Sequence, residues 1–114
     1  MTKRREQIPF AQLLAIPPAL GSGARIEELS VLTGFIKEVT IHWPAGCNAL
    51  VDVAVGYLTT QFCPRSGFLA LDNATPTYYF NEAITKDRPI WVIMQNRDGG
   101  FVHNITVTVT IEEA

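Results

Sequence analysis

The chain has 114 residues, 47% of them hydrophobic and 18% charged, which allows one domain with a buried core and excludes disorder by composition. A net charge of −2, with no Lys/Arg block beyond the first five residues, excludes a dedicated nucleic-acid surface, which needs clustered cations. No apolar run approaches the roughly 18 residues of a membrane span, so the expected protein is soluble with no membrane partner.

Residues 1–29 read as an extended N-terminal arm. They hold no β-alternation, and Leu13, Leu14 and Ile16 suggest a short helical turn ended by Pro17-Pro18. Gly21-Ser22-Gly23 reads as a flexible hinge. The basic start and apolar middle raise the question of a signal peptide. Gln12 interrupts the apolar part and the two prolines break it, so secretion is not expected and both Cys47 and Cys63 should be reduced thiols. An arm of this kind gains more by crossing to a neighbour than by lying on its own domain. Its apolar groups Ile8, Phe10, Leu13, Leu14 and Ile16 would bury area there at about 25 cal/mol per Å², while Arg4 and Arg5 pair with acidic groups. Those seven residues are the expected partner-binding set.

Residues 30–114 have the rhythm of strands. In FIKEVTIHW, Phe35, Val39, Ile41 and Trp43 share one face, with Lys37 as an exception, and Glu38, Thr40 and His42 share the other. Val51, Val53, Val55 and Tyr57 point together, opposite Asp52. FLAL (68–71) and TYYF (77–80) are short strands, and IWVIM (90–94) reads as buried on both faces. The last strand sets Ile105, Val107, Val109 and Ile111 inward and Thr106, Thr108 and Thr110 outward. Six or seven strands with turns every 8–12 residues predict an all-β fold, a single antiparallel β-sandwich of jelly-roll or immunoglobulin-like connection.

The segment IWVIMQNRDGGFVHNITV resembles one stretch of the cupredoxins, where an Asn ends a strand, a loop follows, and a His-Asn pair opens the next strand. The matching residues here are Asn96, Asp98, His103 and Asn104. The resemblance implies a copper-ligand role for His103, but the family's remaining ligands lie downstream, and no Cys, His or Met follows His103. Copper is therefore not expected, and Asp98-Gly99-Gly100 reads as a turn with His103 at the edge of the core. Zinc lacks its usual spacings, with no C-x-x-C and no H-E-x-x-H. Nucleophilic catalysis needs a Cys or Ser beside a His with an orienting acid. Cys63, next to Pro64-Arg65, reads instead as a small core residue. No phosphate loop is present, since GSG and DGG lack a following lysine and helix. The expected catalytic, cofactor and metal residues are none, and no enzyme activity is expected.

A compact β-sandwich carrying the arm TKRREQIPFAQLLAIPPALGSG and the segments HWPAGCNALVDV and QFCPRSGFLALDNATP resembles the small structural proteins of virions, in particular decoration or capsid-associated proteins of tailed phages and archaeal viruses. The resemblance implies a non-enzymatic structural and assembly role in the virion. It also implies an oligomer, with further copies or a major capsid protein as partners. The competing expectation is a carbohydrate- or ligand-binding module of a cell surface, using Tyr78, Tyr79, Phe80 and Trp91 as aromatic contacts.

Overall fold

A computed structural model describes residues 3–114. Eight strands follow in chain order: β1 (Arg5–Leu14), β2 (Gly23–Leu29), β3 (Gly34–His42), β4 (Val51–Tyr57), β5 (Thr60–Cys63), β6 (Thr77–Ile84), β7 (Pro89–Asn96) and β8 (His103–Glu113). They form two antiparallel four-stranded sheets, ordered β1-β8-β3-β6 and β2-β7-β4-β5. Successive strands switch sheets except at the β4–β5 hairpin, which is the jelly-roll order and not the immunoglobulin one.

The core lies between the sheets and follows the alternation of each strand. Ile105, Val107, Val109 and Ile111 of β8 are fully buried, facing Val51, Val53 and Val55 of β4 and Ile90, Val92 and Met94 of β7. On the outer face of β7, Trp91 is also buried, while Ile93 is half-buried. The Trp91 ring lies over Gly56, where a Cβ would collide with it, and its indole N–H donates to Leu58 O at 2.8 Å.

Of residues 1–29, expected to be an arm, 1 and 2 lie outside the described residues. This stretch is not an arm set apart from the sandwich. Residues 5–14 pair with β8 along their whole length, Arg5 with Glu112 through Leu14 with His103, and β2 pairs likewise with β7. Ile8, Phe10 and Leu14 are buried in the chain's own core, so they cannot serve a neighbour. The physical reason is their spacing. Ile8, Phe10 and Leu14 share one face of a strand, a period of two that Pro9 and Gln12 disguise. Leu13 accordingly lies in β1 and not in a helical turn. Pro9 is tolerated because β1 is an edge strand. Residues 30–114 hold six strands, within the expected six or seven, and β1 and β2 bring the described residues to eight.

In β3 the inward set is Ile36, Val39 and Ile41, continued by Trp43 just after the strand, with Phe35 only half-buried. A bulge between Ile36 and Glu38 inserts Lys37 and reverses the parity of everything before it. FLAL forms no strand; Leu69 makes an isolated bridge to Val53 within the long β5–β6 loop.

Candidate functional site

Four loops meet at one end of the sandwich: 15–22, 43–50, 64–76 and 97–102. The registers place them there. Leu14 lies opposite His103, Gly23 opposite Gln95, Val51 opposite Asn96, and Trp43 bridges Ala74. This end holds a connected buried polar group built from three of the four residues singled out in the cupredoxin-like segment.

Asn96, buried at the end of β7, is the hub. Its amide nitrogen donates to Ala15 O (3.1 Å) and Phe101 O (2.9 Å), tying the β1–β2 loop to the β7–β8 loop. Its Oδ1 accepts the Asp98 N–H at 2.9 Å. Asp98 then turns the loop, with Oδ1 accepting from Gly100 N (2.9 Å) and Oδ2 lying 2.8 Å from His103 Nε2. A carboxylate only accepts, so Nε2 carries the hydrogen and, in the neutral ring, Nδ1 is the acceptor. Nδ1 faces Cys47 Sγ at 3.7 Å, and the thiol proton fills that contact. The hydrogen bond from His103, helped by that from Gly100, holds the Asp98 carboxyl below its ordinary range.

Cys47 sits in a tightly wound loop. Gly46, Asn48 and Ala49 all have left-handed φ (100°, 52° and 59°), and Asp72 Oδ1 accepts the N–H groups of Gly46 and Asn48, each at 3.0 Å. Cys47, His103 and Asp98 thus stand in the order of a nucleophile, a base and an orienting acid. The electrostatics run against that use. Burial, then Asp72 and Asp98, push the Cys47 thiol up, and the side chain is fully buried. A nucleophile needs the thiolate and access to it; this geometry favours a protonated thiol inside a clamp. Cys63, also a free thiol, is pushed up to about 11 by burial, and Arg65 turns away to Glu82 at 3.0 Å.

Part of the surface beside this clamp is apolar. A depression of about 270 Å³ is lined by Ala45, Gly46, Asn48, Phe101, Val102 and His103. Phe101 is 69% exposed and Val102 52%, although the backbone beneath them is fixed by Asn96 and Asp98. Leu13 (60%), Ile16 and Leu20 are exposed on the adjoining β1–β2 segment.

The remaining candidate residues scatter. Arg4 pairs with Glu6 and Arg5 with Glu112, both at the opposite end from this depression. Of the expected partner-binding set, Leu13 and Ile16 stay on the surface at the loop end. Asn104 is exposed beside them. His42 is exposed and bonded to Thr75 at 2.8 Å, away from His103, and no cluster of three metal-ligating side chains occurs among the described residues. Tyr79 is 74% exposed, but Tyr78 and Phe80 pack on the core and Trp91 is buried, so the four rings form no shared platform. None of the described residues forms a helix long and apolar enough to cross a membrane.

No protein-family model and no curated protein matches the chain. Among solved structures it is similar to FLHE, with 14% identity, 97% of this chain and 98% of that one covered, and a TM-score of 0.52. A mitogen derived from Yersinia pseudotuberculosis, YPM, is 8% identical over 99% of this chain and 90% of its own, with a TM-score of 0.47. At such identity the likeness to FLHE concerns the fold alone.

Proposed function

We propose that this chain is a non-enzymatic assembly protein that docks through its loop end onto the surface of a larger protein particle. The observation that carries this reading is the pair Phe101-Val102, solvent-exposed on a loop whose backbone is held by buried and part-buried hydrogen bonds. Exposed apolar side chains on a flexible loop lose entropy when they bind. On a fixed loop that loss is largely absent, and burying them is favourable at about 25 cal/mol per Å². Leu13, Ile16 and Leu20 extend the apolar surface.

The finer form of this proposal is a virion decoration or capsid-associated subunit. Its support is architectural: jelly-roll sandwiches are the fold of many viral capsid domains, an analogy at the level of fold. The same fold serves lectins, but the carbohydrate reading rests here on Tyr79 as its one well-exposed ring among the four candidates. A photo-crosslinker at position 101 in the full chain, expressed in its source, tests the proposal. The expected capture is a subunit of a regular particle, with far less capture from position 79. Equal capture at both positions, or retention on immobilised glycans that Tyr79→Ala abolishes, contradicts it.

A further inference from the structure

The two sheets leave four open edges, and three of them resist further pairing. β1 holds Pro9; β5 has only four residues; β6 meets β3 through the bulge at Lys37, and its Glu82 is engaged by Arg65. β2 differs. It has seven residues, no proline, and an unbroken register with β7.

The phase of the β2–β7 ladder is fixed by its ends. Asn96 N donates to Ser22 O at 2.7 Å, and Ser30 N donates to Arg88 O at 2.9 Å. Even-numbered residues of β2 therefore bond to β7, in keeping with Pro89, which lacks an N–H, lying opposite Leu29. The N–H and C=O groups of Gly23, Arg25, Glu27 and Leu29 are turned to the open edge.

We infer that β2 pairs antiparallel with β2 of a second copy about a two-fold axis at Ile26, giving one continuous sheet with four strands from each copy. In this register Arg25 stands directly opposite Glu27 of the second copy, twice by symmetry, and the opposed residues are those whose backbone groups are free. Registers shifted by two residues set Arg25 against Arg25, or Glu27 against Glu27. Shifts of one residue put side chains on the wrong face. Charge therefore favours this alignment, which also pairs the full length of β2, over the neighbouring ones. Arg25 is already held at the edge, with its guanidinium 4.8 Å from the Trp91 ring centre and 2.9 Å from its own Glu27.

Shape supports the same register. Leu29 is 55% exposed, and it falls opposite Gly23 of the second copy. Beside Gly23 the surface has a groove of about 310 Å³, lined by Ser22, Arg25, Ile93 and Gln95 among others. The second copy's Leu29 fills the notch that the absent side chain leaves. Ile26, packed on the core, meets its symmetry mate and extends the apolar layer across the junction.

Light scattering on the full chain tests this. The expected result is a dimer whose share rises with concentration. Arg25→Glu and Glu27→Arg each oppose like charges and should be monomers with unchanged circular dichroism. Mixing the two in equal amounts should restore the dimer, because the mixed pair again opposes glutamate to arginine. Glu27→Pro, which removes an N–H facing only the open edge, should also be a folded monomer. A native chain that is monomeric at every concentration overturns the inference. So does a dimer that survives all three variants, or two folded single variants that fail to associate when mixed. None of these substitutions touches the loop end, so the outcome is separate from that of the docking reading.

Discussion

His103 is held between two groups of opposite demand, a carboxylate that keeps the hydrogen on Nε2 and a thiol that gives its proton toward Nδ1. The linkage has a definite sign. The folded-state pKa of Asp98 is lowered, chiefly by the His103 hydrogen bond, so its contribution to stability is present above the ordinary carboxylate value of about 4 and is lost as pH falls through the lowered one. Asp98→Asn should therefore unfold at a lower temperature than the native chain at neutral pH, with the difference shrinking as the solution is acidified. Thermal unfolding across pH measures it, and a difference independent of pH would show that Asp98 acts through packing alone. The clamp was only partly legible in the sequence. Asn96, Asp98 and His103 stand close together and invite inspection as a group. Cys47 joins them from a loop 56 residues away, wound by left-handed residues and by Asp72, and no local spacing announces that approach.

Among the elements, β8 and β4, with regular alternation and no proline, were readable, whereas β1, β2 and β5 were not. The four inward residues of β8 and the valines of β4 are buried as their period requires. Within β3, Lys37 on an otherwise apolar face was the trace of the bulge, which an alternation rule has no way to place. β1 was hidden because Pro9 and Pro17-Pro18 argue against a strand, and only pairing with β8 shows that Pro9 sits on an edge. This has a direct consequence. A chain beginning at Ala24 loses Ile8, Phe10 and Leu14 from the core and leaves one side of β8 unpaired, so it should not fold. Phe10→Ala alone should cost about 3–5 kcal/mol, read from denaturant unfolding. A truncated chain with native circular dichroism and cooperative melting would restore the separate arm. Within β8, Val107→Asp should abolish folding, because a buried unpaired charge costs several kcal/mol, whereas Thr108→Asp on the opposite, half-buried face should be much milder. Equal stability of the two would mean the faces are reversed.

At the scale of the whole molecule, the two sheets form a body of 50 × 24 × 22 Å with a buried polar group at the loop end and an open sheet edge along β2. The buried polar group at that end is better suited to fixing a loop than to reacting, because it holds the Cys47 thiol protonated and covered. What it fixes is a small apolar surface centred on Phe101 and Val102. The most direct measurement of this account is co-sedimentation with the particle identified by crosslinking, comparing the native chain with Phe101→Ser/Val102→Ser and with Tyr79→Ser. The account predicts that the double variant keeps the native melting temperature within a few degrees and no longer sediments with the particle, while Tyr79→Ser behaves as the native chain does. Undiminished sedimentation of the folded double variant would contradict it.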